Sequence, residues 1–144
     1  MKIRKGKIKD VKELLNLLNS TPELQGVGEK DSYTSSYVAG TIKSKSRNLV
    51  LIVEDKGMIV GFLFAELWKN KKFSFLCDIF VKEDYRNKKI ASMLQEEYEK
   101  ICRKLKIEDI DALVLLENKK MQNWCTKHNF KQGNKFFYYT KELK

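Results

Sequence analysis

Residues 76–105 read LCDIFVKEDYRNKKIASMLQEEYEKICRKL and join an apolar strand to an amphipathic helix through a basic loop. Apolar residues alternate with others up to Lys82, which predicts a strand. After Lys89 the apolar residues recur every three or four positions, which predicts a helix. The backbone amides at the start of this helix, together with Arg86, Lys88 and Lys89, predict a site for a phosphorylated ligand at the carboxyl end of the strand.

The composition indicates one domain. A chain of 144 residues can bury a single core without disulfides or a metal. Its three cysteines lie far apart, with no C-x-x-C pair, which is typical of a reducing cytoplasm. No run approaches the roughly 20 apolar residues that span a membrane. We therefore expect one cytoplasmic domain over residues 1–144, without a metal and without a membrane span.

The net charge of +10 will attract polyanions, including phosphorylated ligands and nucleic acid. The Lys and Arg residues are spread along the chain, which favours solvated faces, and the cluster at Arg86 alone adjoins a predicted ligand site. The chain has no helix-turn-helix pattern, no zinc ligand set and no RNP-like strand, so a nucleic-acid partner is unlikely on motif grounds.

The order of elements predicts a mixed α/β fold with a mostly antiparallel central sheet flanked by helices. Residues 2–9 are predicted as a strand, and Asp10 and Asp31 as the caps of two helices. Residues 48–55 and 58–68 flank Lys56-Gly57 and predict a hairpin, which residues 73–82 extend into a three-stranded meander. The helix after Lys89 is followed by a strand over 110–116 buried on both faces, a helix and a final strand.

The basic loop and its flanks resemble motif A of the GNAT superfamily, the acyl-CoA-dependent N-acyltransferases. That motif reads R/Q-x-x-G-x-G/A after a strand that ends in I/L-x-V. Here Ile79-Phe80-Val81 ends the strand, Arg86 fills the first position and Ala91 the last, while Lys89 stands in place of the first glycine.

Residues 117–130 resemble a second segment of the same family, N-x-x-A-x-x-(F/L)-Y-x-x-x-G-F. Asn118 matches the asparagine, and Asn129-Phe130 takes the place of the glycine and phenylalanine. Asparagine tolerates the left-handed conformation that ends a helix. Cys125 occupies the position of a tyrosine thought to protonate the departing CoA thiolate.

The resemblance covers nearly the whole chain and implies a small single-domain GNAT N-acetyltransferase of archaeal or bacterial type, with the order β-α-α-β-β-β-α-β-α-β. It implies direct attack of a neutral primary amine on acetyl-CoA, with no covalent enzyme intermediate. A backbone amide within Ile79-Phe80-Val81, freed by a β-bulge, is implied to stabilise the oxyanion. The residues implied to bind acetyl-CoA are Ile79, Phe80, Val81, Arg86, Asn87, Lys88, Lys89, Ile90, Ala91, Ser92 and Asn118.

The catalytic candidates are Asp78, Cys125 and Tyr138. Asp78 is the first choice for the general base, because partial burial would raise its pKa to a useful range. A structural hydrogen bond is the alternative for Asp78, and Glu66 and Glu117 are the next choices for the base. Cys125 is a candidate acid or a core residue, and Tyr138 and Tyr139 are other candidate proton donors or ordinary strand aromatics.

Three further interpretations stay open. The chain is alternatively a catalytically impaired GNAT-like domain that binds CoA or a partner, or a basic nucleic-acid-binding module. An aromatic edge strand over 136–139 would allow a homodimer. Residues 21–45 and 135–139 are expected to recognise the amine acceptor. Within them, Gln25, Glu29 and Asp31 would favour a cationic amine.

Overall fold

The structure is a computed structural model that describes residues 1–24 and 33–143. Two compact units make up the chain, Met1–Leu113 and Val114–Lys144, and each is described by itself. The Asp31 cap predicted for the second helix lies outside the described residues.

A five-stranded sheet forms the first unit, with its strands in the order β1-β2-β3-β4-β5. Strands β1 to β4 are antiparallel neighbours, and β5 runs parallel to β4. The β2–β3 hairpin turns through Lys56 and Gly57, whose φ angles of 49° and 80° are the left-handed values that a two-residue hairpin turn requires. The predicted hairpin is confirmed to the residue. The strands are β1 (Lys2–Lys5), β2 (Asn48–Asp55), β3 (Met58–Trp68), β4 (Phe73–Val81) and β5 (Asp109–Ala112).

Helices α1 (Val11–Ser20) and α2 (Ser35–Lys43) pack on one face of this sheet. Their apolar positions meet Val50, Ile52, Phe62 and Phe64, which alternate onto the same face, and Ile59, which joins them because the β2–β3 register shifts between Val53 and Glu54. The buried residues of this core are Leu14, Leu18, Leu24, Val38, Ile42, Val50, Ile52, Ile59, Phe62 and Phe64.

Helix α3 (Ile90–Lys104) packs on the opposite face, as its predicted period requires. Gly61 of β3 allows the close approach, because a Cβ there would lie 3.0 Å from Ile90 Cγ2 and 3.0 Å from the Phe80 carbonyl oxygen. Further along α3, the fully buried Tyr98 hydroxyl lies 2.6 Å from Ser74 Oγ.

The N-terminal strand is tied to the first helix by a charged network. Arg4 donates to both carboxylate oxygens of the buried Asp10, at 2.7 and 2.8 Å, and to Glu54 at 2.8 Å. Asp10 also accepts a hydrogen bond from the Lys7 amide at 2.7 Å. Its carboxylate therefore closes the turn before α1 and makes no side-chain cap bond to that helix, contrary to its predicted role.

The second unit contains α4 (Lys119–Lys127) as its single regular element among the described residues. The predicted strand over 110–116 is wrong in extent, since β5 ends at Ala112, where its pairing with β4 ends, and its residues alternate in exposure. The predicted final strand over 136–139 is also wrong, because residues 131–143 pair with no other strand and form no regular element. Predicted element order is otherwise confirmed through α4.

Within residues 1–24 and 33–143, no helix is long and apolar enough to cross a membrane. The same residues contain no cluster of three or more His, Cys, Asp or Glu side chains suited to a metal ion.

Candidate active site

Strand β4 carries a β-bulge at Cys77. Asp78 pairs with Phe64 of β3, and Leu76 pairs with the next residue, Ala65, so that Cys77 has no partner. The parallel pairing with β5 covers only residues 73–76 of β4. Beyond the bulge, no strand of the described residues pairs with the edge of β4 that β5 leaves, so we refer to this edge as open; its backbone groups are suited to an extended ligand.

The side chains of Ile79 and Phe80 pack on the two faces of the sheet. Ile79 pairs with Leu63 on the face of α3, while the Phe80 ring lies 5.3 Å from the Phe62 ring, in the core under α1 and α2. Only the backbone of Ile79, Phe80 and Val81 is thus suited to the predicted roles in binding and oxyanion stabilisation. The bulge predicted for this segment lies just before it, at Cys77.

The loop after β4 brings the chain round to the start of α3 through two left-handed residues. Asn87 and Lys89 have φ angles of 62° and 61°, and Lys89 is the N-cap of the helix. Lys89 therefore takes the conformation for which glycine is the favoured residue. The first helical hydrogen bond runs from the Met93 amide to the Lys89 carbonyl at 2.9 Å, so the amides of Ile90 and Ala91 precede it and face the loop.

The cations of the loop are held near this helix start. Arg86 Nε donates to the Val81 carbonyl at 3.1 Å, which folds the guanidinium back onto the end of β4. Lys88 Nζ lies 4.9 Å from the centroid of the Tyr85 ring, whose hydroxyl donates to Asp55 at 3.3 Å. A loop with three basic residues that leads into the start of a 15-residue helix fits the pyrophosphate of a nucleotide-containing cofactor.

Asp78 lies on the sheet face of α1 and α2, directly after the bulge. It is half-buried, and this burial raises its pKa from the usual 3.8 to about 6. Among the described residues, it has no ion-pair partner. A carboxylate with such a pKa is well matched to accepting a proton near neutral pH.

The Acetyltransferase (GNAT) family model matches residues 11–130. The chain belongs to this family. Among curated protein sequences, none matches the chain.

Solved GNAT structures share the fold at low sequence identity. AAC(6')-Iy, in complex with the bisubstrate analogue CoA-S-monomethyl-acetylneamine, is 16% identical with a TM-score of 0.82, over 99% of this chain and 98% of that one. PaiA N-acetyltransferase from Thermoplasma acidophilum, in complex with coenzyme A, is 22% identical with a TM-score of 0.83, over 94% and 92%. Ribosomal-protein-alanine N-acetyltransferase from Brucella melitensis biovar Abortus 2308 is 15% identical with a TM-score of 0.72, over 99% and 100%.

Two tyrosines near Asp78 were not among the predicted residues of this GNAT site. The rings of Tyr33 and Tyr37 lie 5.5 Å apart at the start of α2. Burial raises the pKa of Tyr33 to about 12, and the charge of Asp78 adds to the effect. A pair of tyrosines four residues apart is the sequence signal that could have indicated them.

Cys77 is an exposed residue, but its thiol is desolvated and lies 3.6 Å from the Phe75 carbonyl. Burial of the sulfur raises its pKa to about 12, with smaller contributions from the charges of Glu66 and Asp78. It therefore stays a protonated thiol at neutral pH, which makes it a poor nucleophile.

Three predicted site residues belong to the second unit. Asn118 Oδ1 accepts a hydrogen bond from the Met121 amide at 3.0 Å and caps α4. Cys125 is half-buried, and burial raises the pKa of its thiol. Tyr138 is 70% exposed and lies on no strand, which corrects its predicted setting. Their roles in binding and catalysis stay predictions.

The end of α4 has the predicted conformation. Asn129 has a φ angle of 63°, the left-handed value expected of an asparagine that replaces glycine. His128 stacks on Trp124 with ring centroids 4.1 Å apart, and its Nδ1 lies 2.9 Å from the Trp124 carbonyl. These contacts agree with a structural role for the single histidine.

Proposed function

We propose that this protein is an N-acetyltransferase that transfers an acetyl group from acetyl-CoA to a primary amine by direct attack. The observation that carries the proposal is the juxtaposition, within one strand and the following loop, of three features. These are an open backbone edge after the bulge at Cys77, a half-buried carboxylate at Asp78, and a cationic helix start at Arg86 to Ala91.

Acetyl-CoA supplies a thioester carbonyl that an amine can attack. The amine nitrogen forms a bond to the acetyl carbon, the carbon–sulfur bond breaks, and the CoA thiolate takes up a proton. In this chain, the loop cations and the amides of Ile90 and Ala91 would hold the pyrophosphate, and the open edge of β4 would pair with the pantetheine amides. A backbone amide of the same edge would stabilise the oxyanion.

Asp78 would act as the general base. An ammonium group must lose a proton before it can attack, and a carboxylate with a pKa of about 6 is largely ionised at neutral pH. Cys125 and Tyr138 remain the proposed donors of a proton to the thiolate, and Asn118 the proposed contact for the pantetheine arm.

Acetyl-CoA binding and CoA release test the proposal together. Acetyl-CoA at a hundred times its Kd should stabilise the fold by about 2.7 kcal/mol, which corresponds to roughly 5 to 10 °C in Tm for a chain of this size. A panel of primary amines should then release CoA thiol, followed with a chromogenic disulfide. A saturable Tm shift without turnover of any amine would favour the catalytically impaired alternative. No shift with acetyl-CoA, combined with salt-sensitive binding of RNA, would favour the nucleic-acid-binding alternative.

The compartment and the oligomeric state belong to the same proposal. Cys77, Cys102 and Cys125 are all free, which suits the reducing cytoplasm. The aromatic residues 136–139 are 70–87% exposed, and covering four such side chains buries roughly 600 Å² or more per chain. Two copies would then exceed the roughly 1,000 Å² expected of a specific interface, so we propose a homodimer. Light scattering on the eluting protein should give twice the mass of 17.0 kDa.

A further inference from the structure

An exposed acidic and aromatic strip continues the sheet face that carries Asp78. Along β3, Phe62 and Phe64 are buried under α1 and α2, and the next two side chains on this face are Glu66 and Trp68. Their partners on β4 are Phe75 and Phe73. We call this set, Glu66, Trp68, Phe73 and Phe75, the acceptor strip.

The Glu66 carboxylate is oriented within the acceptor strip. Trp68 Nε1 donates to Glu66 Oε2 at 3.1 Å, and the Trp68 ring, which is 46% exposed, stacks on Phe73 with centroids 5.7 Å apart and planes 5° apart. A carboxylate beside exposed aromatic faces is the arrangement that recognises an ammonium group, through a charge-assisted hydrogen bond and a cation–π contact.

Glu66 and Asp78 are diagonal neighbours across the two strands. Asp78 pairs with Phe64, and Glu66 lies two residues further along β3 on the same face. Diagonal neighbours of this kind lie roughly 7–8 Å apart, with somewhat shorter distances between their Cβ atoms. Both carboxylates lie near Tyr37, whose pKa is raised first by burial and then by neighbouring acidic groups that include Asp78 and Glu66.

Neither carboxylate has a counterion among the described residues, although the chain carries a net charge of +10. Asp10, Glu54, Glu99 and Glu108 all form ion pairs, whereas Glu66 and Asp78 form none with any Lys, Arg or amino terminus in residues 1–24 and 33–143. Lys71 contacts the aromatic part of the strip, with its Nζ 5.9 Å from the centroid of the Trp68 ring, and forms no ion pair with Glu66. Two unpaired negative charges on one face of a strongly basic protein favour a cationic ligand.

From these observations, and resting on the proposed function, we infer that Glu66 determines acceptor specificity. It binds a second ammonium group of the acceptor on the Trp68 and Phe73 faces, while the amine that reacts lies beside Asp78. The acceptor class is then a linear aliphatic diamine or larger polyamine. A monoamine of the same length leaves Glu66 without a partner and is a poorer substrate.

Steady-state kinetics with a matched pair of amines test this inference. The pair is 1,5-diaminopentane and 1-aminohexane, in which a methyl group replaces one ammonium group. The wild type should prefer the diamine in kcat/KM by about fivefold or more, the value of an exposed ion pair near 1 kcal/mol. Glu66→Gln should abolish this preference by raising the KM for the diamine, and Glu66→Asp should restore part of it. Glu96→Gln, at an exposed position of α3, is the matched control and should retain the preference.

The two amines distinguish a failure of this inference from a failure of the proposed function. Equal kcat/KM for both amines, or a preference that persists in Glu66→Gln, would overturn the specificity role. An equal fall of kcat with both amines in Glu66→Gln would also overturn it, and would assign Glu66 to proton transfer. If no amine is acetylated, the proposed function fails. Calorimetric titration of the CoA-bound protein with the diamine then decides the binding role, since about fivefold weaker binding by Glu66→Gln supports it and equal binding refutes it.

Discussion

Replacing Asp78 by asparagine is expected to stabilise the fold while it slows acetyl transfer. Burial raises the pKa of Asp78 from 3.8 to about 6, so the folded protein holds the ionised carboxylate at a cost. At 1.36 kcal/mol for each tenfold change in the proton dissociation constant, this cost is about 3 kcal/mol at most at neutral pH. Asparagine has a similar size and no charge, so Asp78→Asn should raise Tm by roughly 5 to 10 °C at pH 7.5.

The pH dependence of this stabilisation has a definite sign. Below about pH 3 the carboxyl is largely neutral in both the folded and the unfolded wild type, and the two proteins should have nearly the same stability. As the pH rises through 4 to 6, the unfolded wild type ionises before the folded one, and the wild type loses stability relative to the variant. Thermal unfolding followed by circular dichroism from about pH 3 to pH 8 measures this difference.

The rate of acetyl transfer should change in the opposite direction. A general base contributes about 10² to 10⁴ to the rate, so kcat should fall by at least about 100-fold in Asp78→Asn. Wild-type kcat should rise with pH through about 6, and this limb should be absent in the variant. The KM for acetyl-CoA should change little, because the cationic loop and the helix start lie elsewhere on the chain. Release of CoA thiol at saturating amine, measured from pH 5 to pH 9, gives these values.

An exposed carboxylate on β5 provides the control, since Asp111→Asn should alter neither kcat nor Tm. Unchanged turnover in Asp78→Asn would remove Asp78 from the mechanism. An unchanged Tm at neutral pH would refute the argument from burial, whatever the kinetics show.

Further substitutions test the cofactor loop, the buried polar pair and the second unit. Lys89→Gly should raise the free energy of unfolding by about 1 kcal/mol, because glycine adopts the left-handed conformation of this position without strain. Lys89→Ala removes the same charge but keeps the strain. A loss of acetyl-CoA affinity that both variants share therefore measures the contribution of the charge. Tyr98→Phe should lower the free energy of unfolding by about 1 to 2 kcal/mol in a denaturant titration. The reason is that Ser74 donates its proton to the Glu66 carbonyl, at 2.6 Å, and would lose the donor that Tyr98 provides. Cys125→Ala and Tyr138→Phe should each lower kcat by about 10-fold or more if the side chain protonates the thiolate, and full activity in either variant assigns that residue to structure.

Local sequence signals were sufficient for most of the fold. The β2–β3 hairpin was predicted to the residue, because the Lys56-Gly57 turn and the β-branched strands on either side specify it within 21 consecutive residues. Helix α3 was predicted from its apolar period, and the helix start with its cations follows from the same stretch. The raised pKa of Asp78 was also anticipated, since Cys77 and Ile79 beside it are apolar.

Non-local pairing accounts for what the sequence could not predict. Whether residues 136–139 form a strand depends on a partner strand, and aromatic composition alone does not supply one. The end of β5 at Ala112 is likewise set by the extent of its pairing with β4. The neighbours of Asp78 come from α2 and β3, which lie at least ten residues away along the chain, so Tyr37 and Glu66 could not be placed beside it from local patterns.

The candidate site depends on the bulge at Cys77. The sequence signal of this bulge is a spacing of apolar residues that departs from strict alternation. Leu76 and Ile79 both face α3, although they are three residues apart rather than two. Without the extra residue, regular alternation would turn Asp78 toward the apolar face under α3 and Ile79 toward α2. With it, Leu76 stays buried and Ile79 and Phe80 stay half-buried on their own faces of the sheet, and the carboxylate reaches the face that carries Glu66 and Tyr37. Cys77 also marks the point where the regular pairing of β4 ends and its open edge begins. One inserted residue therefore positions both the proposed base and the backbone groups proposed to bind acetyl-CoA.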